Sequence, residues 1–179
     1  MLLAFELSGE DETLPKAEVI ATLGALDVNY EEVLSESQLL VLKTEGGDFD
    51  LRQLSLRLAM THNIVEVMNM CNASEGSIYQ MIDDLKFDFA KDESFMVRVK
   101  AKDDGLSSAD LEREIGARIS SKGYKVDLSS PKRVFRAVVS GGVCVFGTLL
   151  YPINRGDFAK RLPHKRPFFY PGVILPRVS

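Results

Sequence analysis

The stretch FMVRVKAK, residues Phe95–Lys102, decides the fold of the second half of this chain. Apolar and basic side chains alternate along it, which is the pattern of a strand with one buried face and one exposed face. The predicted buried side carries Phe95, Val97, Val99 and Ala101, and the other side carries Met96, Arg98, Lys100 and Lys102. We therefore expect a sheet that packs on a core and presents cations to solvent.

A helix is predicted directly after this strand, between Ser107 and Gly123. Ser107 followed by Asp110 resembles a capping box, and Gly123 supplies a C-terminal stop. The apolar stripe of the helix is Leu111, Ile115 and Ile119. Two apolar strands then follow in residues 133–151, joined at Gly141-Gly142, and their nearly continuous apolar character predicts cover on both faces.

The first 70 residues predict a second unit with the order strand, helix, strand, strand, helix, strand, which is the ferredoxin-like plan. Thr13 is the predicted N-cap of its first helix, with Pro15 in the first turn. Asp50 is the predicted cap of its second helix. The fold class is therefore α+β.

Charge divides the chain unevenly. Residues 1–50 carry 12 acids and 2 bases, whereas residues 91–179 carry 9 acids and 17 bases. Such asymmetry indicates units with different partners, and the basic half suits a polyanion.

Several classes of function are not indicated. No apolar run reaches the length of a membrane span, and residues 1–7 are too short for a signal peptide. Cys71 and Cys144 have no partner at CxxC spacing, and His62 and His164 have no ligand neighbours, so we expect free thiols and no metal site. Dinucleotide, Walker and GxSxG motifs are missing. We expect a cytoplasmic protein without catalytic residues or a bound cofactor in this chain.

The basic residues from Arg98 onward form the candidate RNA-binding set. Backbone phosphates are recognised by cations spaced along a surface, although charged faces are often only solvated. The candidates are Arg98, Lys100, Lys102, Arg118, Lys122, Lys125, Lys132, Arg133 and Arg136 in the second unit, with Lys160, Arg161, Lys165 and Arg166 near the end of the chain.

Three segments together resemble a THUMP domain, the RNA-binding module of tRNA-modifying enzymes. The matching positions are Phe95, Val97, Arg98, Ser108, Asp110, Leu111, Ile115, Gly116, Val126, Asp127, Leu128 and Pro131. The resemblance implies that the chain grips tRNA by shape and backbone.

The segment RPFFYPGVILPR, residues 166–177, is similar to the one that leads into the catalytic domain of archaeal tRNA guanine-N2 methyltransferases. The matching positions are Arg166, Pro167, Phe168, Phe169, Pro171, Gly172, Pro176 and Arg177. The resemblance implies a methyltransferase domain in cis, using S-adenosylmethionine, that lies outside this chain.

We therefore predict a ferredoxin-like domain in residues 1–70, a THUMP-like domain in residues 71–153 and an extended proline-rich linker in residues 154–179. The predicted function is tRNA binding for a guanine-N2 methyltransferase. Alternatives are a stand-alone tRNA-binding adaptor, the THUMP region of another enzyme such as a thiouridine synthase, and a protein-interaction module that uses the acidic half.

Overall fold

A computed structural model of the chain describes residues 1–45, 50–103 and 105–153. Within them the order of elements is β1 (Leu2–Leu7), α1 (Leu14–Ala25), β2 (Tyr30–Glu36), β3 (Leu39–Thr44), α2 (Leu51–Arg57), β4 (Thr61–Asn72), α3 (Glu75–Asp84), β5 (Ser94–Ala101), α4 (Ser108–Ser121), β6 (Lys125–Val126), β7 (Arg133–Ser140) and β8 (Val143–Pro152). The α+β class is confirmed, and the first six elements follow the predicted order. None of the described helices is long and apolar enough to cross a membrane.

The two helices of the first unit begin differently from each other. Asp50 caps α2 as predicted, because its side chain accepts hydrogen bonds from the backbone N–H groups of Arg52 and Gln53. Thr13 occupies the N-cap position of α1 as predicted, but its side chain makes no cap hydrogen bond. Asp11 Oδ1 instead accepts from the N–H groups of Thr13 and Leu14, at 2.8 Å each. An Asx-type turn at Asp11 thus supplies the hydrogen bonds that the Thr13 side chain does not make.

All eight described strands form one sheet in the order β2-β3-β1-β4-β8-β7-β5-β6. The first four strands lie on one side and the last four on the other, and the antiparallel pair β4–β8 joins them. Strand β4 extends from Thr61 to Asn72 and so runs past position 70. The predicted boundaries at residues 70 and 153 stay a prediction, and the predicted linker at 154–179 lies outside the described residues.

Four helices pack on the sheet through two apolar clusters. In the second unit, Phe95, Val97 and Val99 are buried in one cluster with the α4 stripe of Leu111, Ile115 and Ile119, as the two periodicities predict. In the first unit, residues of β1, β3, β4, α1 and α2 form the other cluster. Alternation of strand residues and the helical stripe therefore fix both packing faces.

A third apolar cluster contains strand residues only. Its buried members are Ala4, Leu39, Val41, Val65, Val138 and Val145. The sheet bends at β4–β8, where the register shifts between Ile64 and Val65 and again between Val67 and Asn69. This curvature brings residues of both units together. The predicted cover on both faces holds for residues 137–140 of β7 and 144–147 of β8, whereas residues 148–152 of β8 are partly exposed.

Candidate nucleic-acid interface

The start of α4 covers the outer edge of β5. Strand β6 pairs only with Ser94 and Phe95, so the later residues of β5 have no neighbouring strand on that side. Glu112 accepts a hydrogen bond from the Val99 N–H at 3.1 Å, and Ser108 Oγ accepts from the Ala101 N–H at 2.9 Å. These two side chains occupy an edge that would otherwise be open to another strand.

The two central arginines of the predicted set lie next to each other in register but are each engaged by a carboxylate. Arg98 pairs with Arg136 across the parallel strands β5 and β7. Arg98 Nη1 lies 2.5 Å from Glu112 Oε1. Arg136 donates two hydrogen bonds to Glu6, at 2.9 and 2.8 Å, and its side chain is only 14% exposed. Arg136 thus holds the two units together in this structure and is turned away from solvent.

Three further cations of the predicted set also have protein partners. Arg133 Nε lies 2.8 Å from Glu93 Oε2, with its guanidinium over the ring of Phe89. Arg118 contacts the carboxylates of Asp83 and Glu114, with its guanidinium over the ring of Tyr79. Lys122 donates to the carbonyls of Ile82, Asp83 and Leu85, where it satisfies the free C-terminal end of α3. The sequence pattern does not distinguish these paired cations from available ones.

Four lysines of the predicted set are exposed and take part in no ion pair among the described residues. They are Lys100, Lys102, Lys125 and Lys132. Each keeps its ammonium group available to an external anion. The remaining candidates, Lys160, Arg161, Lys165 and Arg166, lie outside the described residues.

These four lysines fall at opposite ends of the parallel strands. Lys125 is opposite Ser94 in register, and the Lys132 N–H donates to the Ser94 carbonyl, so both lie where β5 begins. We call them the leading pair. Lys100 and Lys102 lie where β5 ends, and we call them the trailing pair. At about 3.3 Å per residue the two pairs are on the order of 20 Å apart along the strand. The structure therefore offers two cationic patches instead of the single shared surface that we expected.

The leading pair adjoins an apolar groove and a lysine that the sequence analysis missed. The groove, about 440 Å³ in volume, lies between α4 and β6 and includes Val126 and Leu128, which are 41% and 63% exposed. Lys91 is exposed, donates to the Lys122 carbonyl and lies over the ring of Tyr124. Lys91 sits in the connection before β5, outside any periodic pattern, so no sequence signal marked it.

The described residues provide no glycine-rich loop suited to a nucleotide cofactor. The amide groups of Gly141 and Gly142 donate to the carboxylate of Asp103, at 2.9 and 2.7 Å. Because this turn joins two strands and already binds an anion of the chain itself, it does not fit S-adenosylmethionine. No group of three or more His, Cys, Asp or Glu side chains is positioned to hold a metal ion in the described part of the chain.

Comparison with known proteins defines the class of module in the second unit. Residues 72–149 match the family model described as THUMP domain. These residues contain α3, β5, α4, β6 and β7 and most of β8. Residues 72–149 are thus a THUMP domain, as their motif positions predict.

Two curated relatives match almost the whole chain. A protein of Methanothermobacter thermautotrophicus named tRNA (guanine(10)-N2)-dimethyltransferase is 33% identical over 97% of this chain and 51% of its own length. A protein of the same name from Methanocaldococcus jannaschii is 26% identical over 99% of this chain and 55% of its own length. The chain therefore spans about half the length of the curated relatives that it matches.

A solved structure supports the arrangement of the sheet. TrmN from Thermus thermophilus superposes with a TM-score of 0.61 at 20% identity, covering 89% of this chain and 49% of that one. At this identity the likeness concerns the fold alone.

Proposed function

We propose that this chain is the tRNA-binding portion of an S-adenosylmethionine-dependent tRNA guanine-N2 methyltransferase. The THUMP domain and the names of the two curated relatives support this. The observation that carries the proposal is that 97% of the chain aligns with only 51% of a named methyltransferase. The other half of such a protein is where we assign the catalytic domain, in cis.

In this proposal the exposed lysines bind phosphates and the first unit acts as a spacer. Lysine ammonium groups bind phosphate as point charges, and each neutralised phosphate releases counterions. The leading and trailing pairs would contact separate stretches of backbone, which favours recognition of RNA shape over sequence. The guanine to be modified is then selected by its distance from the phosphates that these lysines bind.

The finer domain assignments belong to the same proposal. The strand order β2-β3-β1-β4, with α1 and α2 against one cluster, supports a ferredoxin-like domain in residues 1–70. We assign residues 71–153 to the THUMP-like domain and residues 154–179 to the linker. S-adenosylmethionine is assigned to the catalytic domain, and the location to the cytoplasm.

Two measurements test this function. The first is binding of the 179-residue chain to unmodified bulk tRNA in a salt titration, with a mixed-sequence DNA duplex as the control polyanion. We expect the chain to prefer tRNA, with an affinity that falls steeply as salt rises. Equal binding to both polymers would indicate a cationic surface that binds any polyanion, and would contradict the expected preference for tRNA.

The second measurement uses the full-length product of the parent gene. It is incubated with tRNA and S-adenosylmethionine carrying a labelled methyl group, and the RNA is digested to nucleosides. We expect the label in N2-methylated guanosine. Label in a different nucleoside, or a reading frame that ends at residue 179, would contradict the proposal and favour the adaptor alternative.

A further inference from the structure

Cys71 and Cys144, remote in sequence, are directly opposite each other across the antiparallel strands β4 and β8. Opposite residues of an antiparallel pair project their side chains to the same face. Both side chains belong to the apolar cluster beneath α3 and α4, with Cys144 buried and Cys71 packed against it. The two thiols therefore lie next to each other where β4 and β8 connect the two halves of the sheet.

The register also sets the spacing of the two residues. Ser140 and Val143 are opposite each other across the two-residue turn between β7 and β8, so the backbone N–H and C=O of Val143 face β7 and those of Cys144 face β4. Cys71 and Cys144 are therefore a hydrogen-bonded pair of β4 and β8, with Cα atoms about 5.5 Å apart. Disulfides span Cα separations of about 4.4–6.8 Å, so a bond can form without a change of register.

The two thiols differ in access and acidity. Cys71 is half-buried and lines an open groove of about 480 Å³ with Asn72, Ser77 and Gln80. Cys144 is fully buried. A hydrogen bond from the Cys144 thiol lowers the pKa of Cys71, while the same hydrogen bond and burial raise the pKa of Cys144. Cys71 is thus the thiol that reacts first with a reagent from solvent, and Cys144 is the thiol that reacts second, with Cys71.

We propose that Cys71 and Cys144 form a reversible disulfide in the folded protein by exchange with a small disulfide such as oxidised glutathione. The Cys71 thiolate attacks one sulfur of oxidised glutathione, which gives a mixed disulfide and releases the first glutathione. The Cys144 sulfur then attacks the Cys71 sulfur and releases the second glutathione. The protein loses two electrons and two protons, and the glutathione disulfide is reduced to two thiols.

The geometry favours a bond that is easily reduced again. Directly opposite Cβ atoms of a hydrogen-bonded pair lie near 5.5 Å apart, whereas a disulfide holds its Cβ atoms about 3.8 Å apart. Closing the bond draws β4 and β8 together, and strained disulfides are the readily reduced ones. Since β4 also pairs with β1, the bond would tie the first unit to the THUMP domain.

The test is native oxidation of the reduced 179-residue chain with oxidised glutathione, followed by alkylation of free thiols, intact-mass measurement and peptide mapping. We expect the loss of two hydrogens with no retained glutathione, a Cys71–Cys144 cross-linked peptide, a higher unfolding temperature and full reversal by dithiothreitol. Cys144→Ser should accumulate a stable glutathione adduct on Cys71. Cys71→Ser should stay unmodified while folded, because Cys144 is buried.

Three results on the unmutated chain would overturn this proposal, independently of how the variants fold. They are two thiols that survive oxidation, a glutathione adduct that persists on Cys71, and a disulfide between two chains through Cys71. The circular dichroism of each variant is compared with that of the parent chain, so that an altered fold is recognised before its thiols are interpreted.

Discussion

Arg136 of β7 and Glu6 of β1 form a bidentate ion pair between the two halves of the sheet. Two strands, β4 and β8, separate β1 from β7 in the sheet order. The Glu6 side chain is 5% exposed and also accepts a hydrogen bond from Asn63 at 2.7 Å. Residues of both halves also meet in the strand-only cluster, so the pair lies on the face toward which the sheet curls.

Replacing Arg136 with Ala should strongly destabilise the protein. The substitution leaves the Glu6 carboxylate buried without its cation, a change that typically costs about 3–5 kcal/mol. Urea unfolding followed by circular dichroism measures it. The matched control is Arg113→Ala, which removes an ion pair whose arginine side chain is 78% exposed and should cost less than about 1 kcal/mol. Equal losses of unfolding free energy in the two variants would contradict the role of Arg136 in holding the two units together.

The sequence predicted the elements of this fold well but not how the two halves meet. Alternation at Phe95, Val97 and Val99 is a local signal, and it identified the buried face of β5. The curvature of the sheet depends on bulges in both β4 and β8, which leave no pattern in a single chain. For the same reason Arg136 was predicted to bind RNA, although Glu6, 130 positions away, accepts its hydrogen bonds. Local charge patterns give the number of cations but not their partners.

The leading and trailing lysine pairs should contribute separately to tRNA binding. We expect Lys100→Gln with Lys102→Gln, and Lys125→Gln with Lys132→Gln, each to weaken binding across tRNA sequences. For every phosphate that a variant no longer neutralises, the slope of log affinity against log salt should become shallower by about 0.7–0.9. Fluorescence anisotropy with labelled tRNA at several salt concentrations measures this.

The control for these variants removes the same charge from the first unit. Lys16→Gln with Lys43→Gln neutralises two lysines that lie outside the predicted set and pair with Glu32 and Glu31. For this double variant, the slope of log affinity for tRNA against log salt should equal that of the unmutated chain. If both THUMP double variants also kept it, the described lysines would not be the phosphate contacts.

Two glycines of the THUMP domain should respond to alanine in opposite directions. A Cβ at Gly147 would collide with the Glu66 carbonyl oxygen, a backbone atom that cannot move without disturbing the β4–β8 joint. Gly147→Ala should therefore destabilise by about 1–3 kcal/mol or more. A Cβ at Gly116 meets nothing within 4 Å, and Ala is favoured over Gly in a helix by about 1 kcal/mol. An unfolding temperature that is lower for Gly116→Ala than for Gly147→Ala would contradict this prediction.

Asp11 should support α1 only where its carboxyl group is ionised. Backbone hydrogen bonds from Leu14 and Thr13 lower the pKa of Asp11 below its ordinary value of 3.8. A depressed folded-state pKa means that the stabilisation is complete above the unfolded pKa and is lost as the pH falls through the folded value. Asp11→Ala should lower the unfolding temperature at neutral pH, and the difference from the parent should shrink progressively below about pH 4.

The control for Asp11 is Thr13→Ala, which removes the residue that the sequence marked as the cap. The Thr13 side chain donates to Asp11 Oδ1 at 3.1 Å but caps no backbone group. Its loss should lower the unfolding temperature less than the loss of Asp11 at neutral pH. A larger effect of Thr13→Ala, or an Asp11→Ala effect that persists unchanged at about pH 3, would show that the carboxylate does not hold the start of α1.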